Sequence, residues 1–125
     1  MSAAMITITG NVGKDVELRF AGEKQIAIAT FSMAHTPRIK KDGEFQDGET
    51  MWFKVVTFMS KAEAVADQLQ KGDTVLVTGS LTQSTYLDKE GKERTVLEIK
   101  AEEVATLIKR QTRFKKTTED NLPWD

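Results

Sequence analysis

No cysteine occurs in the chain, so a disulfide framework and a thiolate metal site are both excluded, and an intracellular setting fits that usage. Histidine occurs once, at His35, at the mouth of a polar stretch with no carboxylate fixed beside it by spacing. There is no phosphate-cradling glycine loop and no cluster with metal-ligand spacing, so no catalytic residue, metal or cofactor is expected, and a non-enzyme is the reading. Long apolar runs are missing too. No stretch approaches the length of a membrane span, and residues 2–12 lack the basic start and apolar core of a signal peptide. The expectation is a soluble, cytoplasmic protein with no membrane partner.

Charge of one sign is also missing. The net charge is -1, which argues against a broadly basic nucleic-acid surface. The distribution matters more than the sum. Glu119, Asp120 and Asp125 stand in the last nine residues against no cation, leaving 18 basic and 16 acidic groups in residues 1–116. Five of those cations, Lys109, Arg110, Arg113, Lys115 and Lys116, fall in one run. Any anion-binding surface on the body must therefore be local, and affinity must lean on stacking as well as charge.

What is present is alternation. With 125 residues the chain can form one domain with a real core plus a short tail. Ile6 and Ile8 alternate with Thr7 and Thr9 before Gly10-Asn11-Val12-Gly13, read as a strand followed by a turn. Val16, Leu18 and Phe20 alternate with Glu17 and Arg19 in a second strand. Residues 25–34 form a third, with Ile26 and Ile28 on one face and Phe31 and Met33 on the other. Residues 35–49 break the pattern with Pro37, Asp42, Gly43, Asp47 and Gly48, and read as a long, mobile hairpin loop. Its first limb is basic through Arg38, Lys40 and Lys41 and its second acidic; it is either a solvated loop or a finger that follows a phosphate backbone.

Residues 50–58 are the densest β-forming stretch, rich in β-branched and aromatic side chains and free of Gly and Pro. Strand alternation puts Met51, Phe53 and Val55 on an apolar face and Trp52, Lys54, Val56 and Phe58 on the other. Trp52 and Phe58 then stand roughly 20 Å apart with a cation between them, which is the pattern of a single-stranded nucleic-acid platform. Burial of both faces, with the aromatics as plain core, is the competing reading.

Ser60 and Glu63 have capping-box spacing, Ala62, Val65, Ala66 and Leu69 follow at helical spacing, and Gly72 suits the position past the helix end. Val75, Val77, Gly79 and Leu81 resume the alternation, with Gly79 expected at a bulge or a sharp bend. Tyr86 closes that run, residues 88–92 form a hairpin tip, and residues 95–101 return with Leu97 and Ile99 inside. In residues 100–110, Val104, Leu107 and Ile108 fit either a helical turn or a last strand, and a strand followed by irregular chain is the expectation. Residues 111–125 lack periodicity and are expected to be disordered, ending in an apolar tip of Leu122, Pro123 and Trp124 among acidic residues.

The expected architecture is all-β: a five-stranded Greek-key barrel of the oligonucleotide-binding kind with one short helix and a disordered C-terminal tail. The expected division is a binding domain over residues 1–108 and a basic-then-acidic tail over residues 109–125.

At the level of residues, Ile8-Thr9-Gly10-Asn11-Val12-Gly13-Lys14-Asp15, Glu17-Leu18-Arg19-Phe20, Trp52-Phe53-Lys54-Val55-Val56-Thr57-Phe58, Leu69-Gln70-Lys71-Gly72-Asp73-Thr74-Val75 and Val77-Thr78-Gly79-Ser80-Leu81 follow one another in a specific order. In that order the chain resembles the homotetrameric class of bacterial and phage single-stranded DNA-binding proteins over residues 4–108. The resemblance implies a non-catalytic, largely sequence-independent coat for single-stranded DNA in replication, recombination and repair. It places Trp52 and Phe58 on stacking positions, Tyr86 on the aromatic of the second hairpin, and Lys54 where a phosphate-contacting arginine is usual. Arg19, Arg38, Lys40, Lys41 and Lys71 complete the expected nucleic-acid surface. Leu122, Pro123 and Trp124 correspond to the tip through which replication and repair proteins would dock. The chain departs from the pattern at Pro37-Arg38-Ile39, where some members carry another stacking tryptophan, and at Phe53, where a histidine often supports the subunit contact. The same fold also hosts binders of RNA or oligosaccharide, and an adaptor role is a further alternative.

Overall fold

The computed structural model describes residues 3–108. In chain order the elements are β1 (Met5–Val12), β2 (Glu17–Ala21), β3 (Ile26–His35), β4 (Arg38–Lys41), β5 (Glu44–Asp47), β6 (Met51–Phe58), α1 (Met59–Gln68), β7 (Thr74–Leu87) and β8 (Glu93–Thr106). The tail over residues 109–125, with Leu122, Pro123 and Trp124, lies outside the described residues.

β1 pairs antiparallel with β7 from Met5 to Asn11, then meets β3 at Asn11 and Val12. Through that second contact β1, β7, β8, β6 and β3 close into a ring of five strands, and β2 runs along the rest of β3. All neighbours are antiparallel except β6 and β8, which run parallel. This is the five-stranded barrel expected from the sequence. Its interior holds Val12, Phe31, Met33, Phe53, Val55, Leu69, Val75, Val77 and Ile99. Alternation along β3 supplies two inward pairs of different size. Phe31 and Met33 fill the barrel, while Ala27 and Ala29 are small enough for Ala62 of α1 to pack directly on them. A single helix thereby covers that end of the sheet, and Lys61 near its start bonds the Glu102 carbonyl and the Glu103 carboxylate of β8.

Several local expectations are corrected. Gly10, Asn11 and Val12 do not turn the chain; they extend β1. A Cβ at Gly10 would lie 2.6 Å from both the Ala34 carbonyl oxygen and Met33 Cγ, so glycine marks the close approach where β1 changes partner. The hairpin loop from 35 to 49 carries two short strands of its own, which the sequence pattern did not show. His35 ends β3 and its Nδ1–H donates to the Thr9 carbonyl at 2.7 Å. β4 and β5 then form their own hairpin across Asp42 (φ 55°) and Gly43 (φ 81°), the paired left-handed geometry that Asp-Gly favours in two-residue hairpin turns. The Ser60–Glu63 capping box is absent because α1 starts directly from β6: extended Phe58 is the N-cap, and Ser60 already sits inside the first turn. Leu69, not Gly72, caps the other end, and Gly72 (φ 92°) serves the turn that follows. Gly79 does mark a register shift between β7 and β8, with no room for a Cβ against Lys100 and Ala101. Leu18 and Phe20 of the edge strand β2 are 41% and 51% exposed.

Because the Gly10 contact closes the ring, Gly10→Ala is expected to cost about 1 to 3 kcal/mol through forced overpacking. The urea midpoint measures it; an unchanged midpoint would show that β1 and β3 have slack there.

Candidate nucleic-acid interface

Side chains directly opposite one another on paired strands share a face, so the register locates the site. On β6, Trp52, Lys54, Val56 and Phe58 stand opposite Ala34, Ser32, Thr30 and Ile28 of β3. Beyond β3, Arg19 of β2 is opposite Ile28. On the other side of β6, Lys54 and Val56 are in register with Glu98 and Lys100 of β8. Those continue to Thr82 and Ser80 of β7, and further along the same arm Arg94 is opposite Tyr86. Trp52, Lys54, Phe58, Arg19 and Tyr86 therefore occupy one continuous outer strip across β2, β3, β6, β8 and β7.

Exposure separates the two readings of β6. Trp52 is 58% exposed and Tyr86 52%, whereas Phe53, Val55 and Thr57 on the alternate positions are buried. Val56 is buried and Phe58 half-buried, so the strip is a platform at one end and a shallower step at the other. Ala34 and Ser32 are small, which leaves Trp52 and Lys54 standing above the neighbouring strand.

The indole is seated from below. A Cβ at Gly13 would fall 2.6 Å from Cζ3 and 3.1 Å from Cη2 of Trp52. The Gly13 N–H donates to the Ser32 carbonyl at 2.8 Å, which fixes this backbone under the ring. At the other end, Lys100 Nζ lies 5.3 Å from the centre of the Phe58 ring, in the range of a cation–π contact. Neither Gly13 nor Lys100 was among the expected site residues. Lys100 was legible as the outward partner of buried Ile99, but Gly13 read only as a turn former.

The remaining cations divide. Lys71 stands off the strip, in the turn between α1 and β7; the neighbouring Gly72 N–H donates to the Val12 carbonyl at 2.8 Å, which holds this turn beside the end of β1. Arg38 and Lys40 point to one side of the β4–β5 hairpin and Lys41 to the other. Arg38 faces Asp47 and Lys41 faces Glu44, so two of the three cations meet an acid across the ladder. Lys40 instead faces Phe45, which is 69% exposed. That aromatic beside a cation was missed because Phe45 sits alone in a polar sequence.

The arm carrying Tyr86 ends in a turn built on one carboxylate. Asp88 Oδ1 accepts from the Glu90 and Lys92 N–H groups and Oδ2 from Arg94 Nε, each at 2.9 Å. The Arg94 guanidinium, helped by the Lys92 N–H, holds the Asp88 carboxyl below the ordinary aspartate range. With its folded pKa depressed, Asp88 supports the turn at all pH values above the unfolded value and loses that support as pH falls through the folded one.

Two outcomes follow. Gly13→Ala, made in a Trp124→Phe background so that Trp52 is the only indole, is expected to lift the ring and alter its emission and quencher accessibility; identical spectra would unseat this geometry. In an NMR titration Asp88 is expected to protonate below ordinary aspartates, with Glu90 and Lys92 amide protection lost at the same midpoint. A midpoint at the ordinary value would disconnect Arg94 from the turn.

The model of the single-strand binding protein family matches residues 4–107. A single-stranded DNA-binding protein of Mycolicibacterium smegmatis is 38% identical over 109 residues, covering 86% of this chain and 66% of that protein. One from Corynebacterium glutamicum is 42% identical over 101 residues, covering 79% of this chain and 44% of that protein. The chain thus spans just under two thirds, or less, of the curated relatives it matches. Among solved structures, a small single-stranded DNA-binding protein from Streptomyces coelicolor superposes with a TM-score of 0.75 at 28% identity, covering 86% of this chain and 97% of that one. A closed barrel with an exposed aromatic strip, matched from β1 to the end of β8 by one family model, places the chain in the single-strand binding protein family.

Proposed function

We propose that this protein binds and coats single-stranded DNA without catalysing a reaction, largely independently of sequence, in replication, recombination and repair. The observation that carries the reading is the strip on β6: two aromatic rings and a lysine at fixed spacing, on a strand hydrogen-bonded on both sides. Bases stack on Trp52, Phe58 and Tyr86, whose faces accept any base. Lys54, Lys100 and Arg19 take the phosphates. Arg38, Lys40 and Lys41 on the hairpin and Lys71 beside β1 extend the path, with Phe45 as a further ring for stacking. The few cations on the strip make stacking the larger share of affinity and the salt dependence shallow, at about 0.7 per neutralised phosphate.

The protein works as a homotetramer in the cytoplasm. Exposed Leu18 and Phe20, which share one face of the edge strand β2, support self-association, because such apolar groups gain from a subunit contact. Residues 1–108 form the binding domain and residues 109–125 the tail, through which Leu122, Pro123 and Trp124 dock replication and repair proteins. Its acidic residues keep that apolar anchor soluble.

The test is a fluorescence titration in the Trp124→Phe background with thymidine homopolymer, RNA and duplex at one salt concentration. Single-stranded DNA is expected to quench Trp52 and bind most tightly, and Trp52→Ala to weaken binding by about 1 to 3 kcal/mol. Tight binding with no quenching would refute stacking on Trp52, and preference for RNA or duplex would refute the assignment.

A further inference from the structure

The strip that presents Trp52, Lys54 and Phe58 also holds a carboxylate in its middle. Glu98 is in register with Lys54 on one side and Thr82 on the other, and it is half-buried. Leu97 and Ile99, its chain neighbours, turn inward to the core, so the backbone beneath Glu98 is fixed. It stands opposite Lys54, yet among the described residues neither forms an ion pair. An anion at this place repels any phosphate laid across it. On a surface where Lys54 and Lys100 draw the backbone, the Glu98 position is therefore where a base edge passes.

A carboxylate offers acceptors only. It is complementary to the exocyclic amino group of cytosine, whereas thymine presents a carbonyl oxygen at the same place, which meets the carboxylate with repulsion. The neighbouring Thr82 hydroxyl, able to donate or accept, does not discriminate between the two.

Resting on the single-stranded DNA reading above, we propose that Glu98 is a specificity-determining residue that reads the edge of the base lying between Trp52 and Phe58 and biases that position toward cytosine over thymine. The bias is local and modest. Stacking on the flanking rings remains indifferent to sequence, so one position in a bound strand carries a preference while the rest do not.

The experiment compares the full chain with Glu98→Gln and Glu98→Ala on cytidine and thymidine deoxyhomopolymers of equal length in one buffer. Glu98→Ala is expected to shift the ratio of affinities toward thymidine by about three- to tenfold, as loss of one base-edge contact does. Glu98→Gln is close to isosteric and keeps an amide oxygen that accepts, so it is expected to retain part of the preference. Equal tightening on both polymers would reduce Glu98 to a source of phosphate repulsion, and equal weakening would reduce it to a prop for the sheet; either overturns the proposal. A wild-type chain that binds neither polymer brings down the single-stranded DNA reading and this inference with it. Wild-type binding with an unshifted ratio brings down the role of Glu98 alone.

Discussion

Everything on the outer strip depends on one strand serving two partners. β1 is held by β7 along most of its length and by β3 at its last two residues. Without that short second contact the sheet would be open, with an exposed edge on β1 and no constraint on the tilt of β6. Glycine at position 10 admits the crossing, and at position 13 the same run of backbone passes beneath an indole. Ring closure and the seating of Trp52 are thus two results of one piece of chain coming closer than a side chain would allow.

Closure makes β6 an interior strand, bonded to β3 on one edge and β8 on the other, with Phe53, Val55 and Thr57 sealed inside. Side chains on its outer face cannot lower their energy by moving the strand. The aromatic spacing is therefore set before any ligand arrives, and little ordering entropy opposes binding. The surface remains close to neutral, with Glu17 and Glu98 among its cations. Such a mixed surface suits repeated ring contacts with a polymer better than attraction by a diffuse positive field, unlike the surface of a basic duplex-binding domain.

Much of this was legible in the sequence. Alternation located every barrel strand, since inward positions such as Ile8, Phe31, Val55, Val77 and Ile99 recur with period two in segments of strand length. Trp52, Lys54 and Phe58 were likewise visible as one face, although alternation alone could not say which face was sealed. What stayed hidden was set by tertiary contact. Gly10 looks like a turn residue until Met33 and Ala34 are brought against it, and Ser60 looks like a cap until α1 is seen to begin straight from β6. Lys40 and Phe45 are five residues apart and become neighbours only in the hairpin register. For that hairpin the Asp42-Gly43 signal was present, but the surrounding charge made its limbs read as loop rather than as paired strands.

The β4–β5 hairpin forms a sheet of its own, joined to the barrel at a clamped base where Gly48 N–H donates to the Pro37 carbonyl at 2.6 Å and the Thr36 and Thr50 hydroxyls meet at 2.7 Å. Its ladder alternates sides with each residue, so its length carries a parity. Insertions or deletions of two residues per limb would lengthen or shorten the reach of Lys40 and Phe45 while preserving the side they occupy. A change of one residue per limb between them and the base would turn both to the opposite side. A length change that keeps Lys40 and Phe45 on their present side must therefore come in even steps in each limb, whichever residues are inserted.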